Sequence, residues 1–137
     1  MEESVFVTIA APAGVLSIDV VLARARARLD RITPRQAFGE HRGGATLIDI
    51  RPAAQRAAEG EIAGALVIER NVLEWRLDPQ SSARLPIADY RLRVIVFCSE
   101  GYTSSLAAAS LLDLGVARAT DIDGGIQAWI AAGLPIA

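Results

Sequence analysis

The run Arg93-Val94-Ile95-Val96-Phe97 is apolar at every position after its arginine and ends abruptly at Cys98. A short run without polar alternation has no side to show to water. It fits a central parallel strand buried on both faces, and that demands covering helices. The next residues supply one: Cys98-Ser99-Glu100-Gly101-Tyr102 is a short loop, and residues 103–114 are an Ala/Leu-rich helix closed by Gly115.

The rest of the chain repeats this alternation. Ser17 and Asp19 are candidate N-caps for a helix reaching about Arg31, with Ile18, Val21, Leu22, Ala25, Leu29 and Ile32 as its buried stripe. Arg24, Arg28 and Arg31 lie off that stripe and read as a solvated face. Thr33-Pro34 opens a second helix, ended by Gly43-Gly44. Strands are expected at 46–50, 65–68, 93–97 and 120–122, with helical segments at 52–58, 71–77 and 126–132. Residues 80–90 read as loop. Strands alternating with helices predict an α/β fold of three layers, a mostly parallel central sheet with helices on both faces. Residues 1–16 are set apart as an N-terminal arm or, through the β-branched 5–9 segment, an edge strand; residues 17–137 form a single domain.

Composition removes several function classes. The formal net charge is -2, and all 14 basic residues are arginine, so Schiff-base chemistry on lysine is excluded and no basic field invites nucleic acid. The single cysteine excludes an internal disulfide framework and a multi-thiolate zinc site, so no metal is expected. The acidic start Met1-Glu2-Glu3 is unlike a secretory leader, and no apolar run approaches the ~20 residues of a membrane helix. The expectation is a cytoplasmic protein without a membrane partner.

A lone cysteine is ordinarily a small buried hydrophobe. Cys98 differs in its place, because ligands of open α/β sheets bind where strands meet helices at their carboxyl ends. A tight loop there aims backbone N–H groups at an anion, and Gly101 allows the bend. A helix N-terminus near Thr103 contributes about 0.3–1 kcal/mol to that anion. Glu100 opposes it by about 0.5–2 kcal/mol at ~8 Å. Direct N–H hydrogen bonds must therefore supply most of the stabilisation, or Glu100 must point away.

These residues resemble the active loop of the rhodanese family of sulfurtransferases, over roughly residues 33–135. That loop has six residues, starting with cysteine and often carrying Gly fourth and Thr or Arg sixth; Cys98, Gly101 and Thr103 fall on those positions. Asp49-Ile50-Arg51 is similar to the family's Asp-x-Arg strand end. Gly60-Glu61-Ile62-Ala63-Gly64-Ala65 is similar to its Gly-His-Ile-Pro-Gly-Ala turn, with Glu61 in place of the histidine. Gly124-Gly125-Ile126-Gln127-Ala128-Trp129 and Gly133-Leu134-Pro135 match its closing helix. The resemblance implies a three-layer rhodanese-like fold and ping-pong chemistry. Cys98 would take sulfane sulfur from thiosulfate or a persulfide and pass it to a thiol or another nucleophile. The intermediate is a covalent persulfide, without a cofactor. The backbone from Ser99 through Glu100, Gly101 and Tyr102 to Thr103 would bind the sulfur, with the Thr103 hydroxyl adding a bond. With no second cysteine, the acceptor is external, a small thiol or a protein. Ser99 and Glu100 stand where many members carry Arg or Lys, which disfavours the thiosulfate dianion.

Further candidates stand beside these. Arg51 is a candidate donor-binding residue or a partner of Glu100, against an Asp49/Arg51 structural pair. Arg70 and Trp75 are candidate pocket walls, with Trp75 equally readable as core. Tyr102 is expected to be exposed, and Trp129 to be core. His41 is expected at the surface roughly 15 Å from Cys98, across five strand residues, so a Cys–His dyad is disfavoured. Six residues on from Cys98 stands Ser104, not the arginine of a Cys-x5-Arg phosphatase loop. The remaining alternative is a sulfur carrier or regulatory interaction module without turnover, with the acidic loop and the stripe of Arg24, Arg28 and Arg31 serving a protein partner and the arm able to dock between chains.

Overall fold

The computed structural model describes residues 7–137. Four strands, β1 (Thr46–Asp49), β2 (Leu66–Val67), β3 (Val94–Phe97) and β4 (Thr120–Asp121), form one sheet in the order β2-β1-β3-β4. Every pair is parallel, and β3 registers Ile95 and Phe97 against Leu47 and Asp49 of β1. Among the described residues six α-helices accompany them: α1 (Ile18–Ala27), α2 (Pro34–Arg42), α3 (Ala53–Glu59), α4 (Leu73–Leu77), α5 (Thr103–Asp113) and α6 (Gly125–Ala131).

The unbroken apolar run of β3 is divided between two cores. Val94 and Val96 point to one face, with Ile48, Leu73, Leu77, Ala107, Ala108 and Leu111. Ile95 and Phe97 point to the other, with Leu47, Ala37, Ile126 and Trp129. Two buried faces require apolar residues at both parities, which is why the strand shows no alternation. Trp129 is buried, and its indole N–H donates to the Pro135 carbonyl at 2.9 Å.

The helix starts follow local chemistry. Ser17 caps α1, accepting from the Val20 N–H at 3.2 Å. Thr33 and Gln36 form a reciprocal capping box on α2, with Pro34 at the first helical position.

Helix α1 departs from its expected stripe. Ala25 is buried, but Ile18 and Val21 are exposed, Leu22 is half-buried, and Ile32 lies beyond the helix in a bridge to Ile122. The reason is position: α1 packs on α5, outside the layer that covers the sheet, so one small residue suffices at the contact. Among the described residues 7–16 there is no strand, and Val7 and Ile9 are exposed; Val5 and Phe6 of the proposed edge strand lie outside the described residues. No helix among the described residues is long and apolar enough to cross a membrane.

Candidate active site

Cys98 follows β3 directly, at the carboxyl end of the sheet's interior, and is almost fully buried as a free thiol. Three residues on, Gly101 folds back with φ +86° and donates its N–H to Cys98 Sγ at 3.3 Å. The positive φ and the lack of room both require glycine, since a Cβ would lie 2.8 Å from the Gly124 nitrogen.

The loop carbonyls are held from outside. The first turn of α6 donates Ile126 N–H to the Cys98 carbonyl at 2.9 Å and Gln127 N–H to that of Ser99 at 3.1 Å. These are N–H groups that a helix start leaves without internal partners. Gly125 makes the approach possible: a Cβ there would stand 2.5 Å from the Cys98 oxygen. The Gly101 carbonyl accepts from Arg26 Nη2 at 2.7 Å and Arg31 Nη2 at 3.0 Å, both reaching in from α1 and its end. No cis peptide occurs among the described residues, so each N–H points opposite the carbonyl before it. Tying down the carbonyls of 98, 99 and 101 therefore turns the N–H groups of Ser99, Glu100 and Tyr102 to the other side of the loop. Among the described residues, those three N–H groups have no acceptor within the protein. Such a row of unpartnered N–H groups can take up an anion.

Above the loop lies an open hollow of about 280 Å³, lined by Gln55, Cys98, Ser99, Glu100, Tyr102 and Thr103. Glu100 and Tyr102 are exposed on its rim, and the Arg26 guanidinium sits 5.5 Å from the Tyr102 ring centre. Among the described residues the Thr103 hydroxyl makes no hydrogen bond; Thr103 contributes the start of α5.

Several expected site residues lie elsewhere. Arg51 does not line the hollow at Cys98 and does not meet Glu100. It is 1% exposed, and its guanidinium grips Asp49 at 2.7 and 2.9 Å, the Gly60 carbonyl at 2.8 Å and Glu59 at 3.4 Å. Asp49 ends β1 and fastens the β1–α3 connection through this pair. Burial works against the charge on Arg51, yet Asp49 and Glu59 together raise its pKa. Arg70 pairs with Glu74 at 2.8 Å and lines a separate hollow with Ile50 and Pro52. Trp75 is neither core nor wall: it is 61% exposed, beside Glu74, Asp78 and Leu114. His41 is half-buried rather than at the surface, its ring nitrogens 3.2 Å from the carbonyls of Ala45 and Ala63. It sits at the entry to β1, away from Cys98.

Other residues meet the loop without having been expected there. Glu59 accepts from the Ser99 hydroxyl, from Gln127 Nε2 at 2.7 Å and from Arg51. Burial pushes its carboxyl up, but the hydrogen bonds from Ser99, Gln127 and Arg51 outweigh that and hold it below the ordinary value. Arg31 also differs from the expected solvated face: its side chain is 16% exposed and binds Asp121 through Nε at 2.9 Å and Nη2 at 3.2 Å. Asp121, fully buried, accepts from Ser104 and Ser105 as well, each at 2.8 Å. A buried acid on β4 signals that a cation must come to it. No signal in the sequence says which arginine does.

The family model described as Rhodanese-like domain matches residues 35–132. The chain belongs to the rhodanese-like family. A relative in Pseudomonas entomophila named thiosulfate sulfurtransferase GlpE is 36% identical over 100 residues, covering 72% of this chain and 83% of the relative. Among solved structures, a Rhodopseudomonas palustris protein described as of unknown function and a possible tyrosine phosphatase superposes with TM-score 0.82 at 30% identity, covering 93% of this chain and 100% of that one. The polysulfide-sulfur transferase homodimer of Wolinella succinogenes superposes with TM-score 0.71 at 25% identity, covering 87% and 85%. The rhodanese-like fold thus holds for the three-layer architecture described above.

Proposed function

We propose that the protein is a rhodanese-type sulfurtransferase in which Cys98 carries sulfane sulfur as a persulfide, taken by preference from a persulfide rather than from thiosulfate. The observation that carries this reading is the loop itself. It places one thiol on the floor of an open hollow, with the Gly101 N–H on its sulfur and three unpaired N–H groups turned to the same side. Relatives named thiosulfate sulfurtransferase and polysulfide-sulfur transferase support the transfer of sulfur in general.

In the first half-reaction the Cys98 thiolate attacks the outer sulfur of a donor R–S–SH. The new S–S bond forms on Cys98, the donor's S–S bond breaks, and the donor leaves as the thiolate R–S⁻. In the second, an external thiolate attacks that outer sulfur, carries it away as a new persulfide and restores the Cys98 thiolate. No net oxidation occurs: the outer sulfur gives its proton to solvent while the persulfide rests on Cys98 and regains one before the acceptor thiolate attacks. The nest of N–H groups favours the persulfide anion in between. The donor preference rests on charge: among the described residues lining the hollow the one charged side chain is Glu100. A dianion is repelled there more than a singly charged or neutral persulfide.

The description of the R. palustris protein raises a phosphatase reading, which this loop does not support. Position 104 is a buried serine bonded to Asp121, and Arg26 and Arg31 meet the loop from outside, at the Gly101 carbonyl. Among the described residues lining the hollow there is no guanidinium fork for a phosphoryl group.

The test is the intact mass of the protein and of Cys98→Ser after exposure to a low-molecular-weight persulfide or thiosulfate. Gain of one sulfur atom by the parent alone is expected. No gain from either donor would sink the small-donor reading and leave a carrier or interaction module without turnover.

A further inference from the structure

The family match begins at residue 35, yet two arginines before it hold the active loop. We infer that Arg26 and Arg31 are positioning residues for the reaction at Cys98: they hold the Gly101 carbonyl outward and so keep the Gly101 N–H on the cysteine sulfur. The inference rests on the sulfur-transfer reading for its purpose, though not for its test.

Gly101 is held at both ends. Its N–H meets Cys98 Sγ at 3.3 Å, while its carbonyl accepts from Arg26 Nη2 at 2.7 Å, Arg31 Nη2 at 3.0 Å and, more weakly, the Ser105 hydroxyl at 3.4 Å. A glycine at φ +86° has no side chain to fix it, and a free one samples a wide range of backbone angles. Two charge-assisted hydrogen bonds on one carbonyl remove that freedom. The same bonds orient the Tyr102 N–H, which lies across the peptide from that carbonyl.

Each arginine is itself fixed. Arg31 is anchored on the buried Asp121 and on Asp123, the latter at 3.2 Å. Arg26 donates through Nε to the Ser105 hydroxyl at 3.1 Å and stacks by the Tyr102 ring. Burial opposes the charge on Arg31, but Asp121 outweighs it, with Asp123 and Cys98 adding to the rise in its pKa. Arg24, on the same helix and exposed, makes no such contact among the described residues. The loop's own second and third residues, Ser99 and Glu100, bring no cation. Helix α1 and the residues just after it therefore bring positive charge to the loop through its backbone, and neither arginine lines the hollow.

The experiment measures alkylation of Cys98 by iodoacetamide across pH, with thermal melts, for the parent, Arg26→Gln, Arg26→Lys and Arg24→Gln. Arg26→Gln should slow alkylation near pH 7 by about two- to fivefold, the scale of one lost electrostatic contact, and displace the pH profile upward. Arg26→Lys should recover most of the rate, and Arg24→Gln should match the parent. A parental profile for Arg26→Gln overturns the inference. So does an equal effect of Arg24→Gln, or slowing that only tracks a lowered Tm and is not recovered by Arg26→Lys. Alkylation involves no sulfur donor. A protein that fails to load sulfur but shows the Arg26 effect would lose the proposed function and keep the positioning role.

Discussion

The Ser99 hydroxyl donates a hydrogen bond to Glu59, which lies 40 residues earlier in the chain. The same Glu59 oxygen accepts from Gln127 Nε2, and the other meets Arg51. One carboxylate at the end of α3 thus joins the Cys98 loop, the first turn of α6 and the buried Asp49/Arg51 pair. The second residue of the loop is set by a contact between three elements, not by its neighbours in sequence.

Glu59→Gln should lower stability by about 1 kcal/mol near neutral pH, since a neutral amide replaces a carboxylate with three donors. Because the folded-state pKa of Glu59 is lowered, its contribution is present above the ordinary carboxyl value and lost as pH falls through the lowered one. Urea midpoints of parent and variant should therefore differ at pH 7 and converge on acidification. A gap that stays constant with pH would remove Glu59 from this role.

Arg51→Ala leaves Asp49 buried without its partner, at a cost of about 3–5 kcal/mol. Denaturant unfolding should show that loss, and sulfur loading should fall only as the folded fraction falls. Preserved stability with lost thiosulfate loading would restore Arg51 as a donor-binding residue.

Glu100 is exposed at the rim of the hollow, so its charge can be removed without leaving a buried partner. Glu100→Gln should raise thiosulfate loading about two- to thirtyfold, the range that corresponds to 0.5–2 kcal/mol of repulsion. Loading from a neutral persulfide should change far less. Added salt should narrow the thiosulfate difference, because exposed charges are screened. No gain with thiosulfate would count against the donor preference.

Trp75 packs against neither core and does not line the Cys98 hollow. Trp75→Ala should leave stability within about 0.5 kcal/mol, as for other exposed substitutions, and leave sulfur loading unchanged. A clear loss of loading would place Trp75 in the path of a donor or acceptor.

The fold was largely legible because its signals are local. The apolar run before Cys98, Pro34 behind Thr33 and the Gly124-Gly125 pair each mark an element through propensity or backbone freedom. Every expected strand and helix of the family-like region is present within about two residues of its expected bounds. Helix α1 was harder to read. Its periodicity is amphipathic, but periodicity cannot tell whether the partner is a sheet or a single helix, so Ile18 and Val21 remain exposed on α5's flank.

The site divides in the same way. Sequence alone determined Cys98 as the one thiol, its place at a strand end, the glycine that lets the loop turn back, and the acidic character of that loop. These are covalent and conformational facts, carried by residues within six positions of one another. Only the tertiary structure decided that Arg51 is a buried partner of Asp49, and that Arg26, Arg31 and Glu59 hold the loop. Charged side chains are long, and each has many candidate partners along the chain. Which pair forms depends on the elements that packing brings together, and a linear sequence does not state those distances.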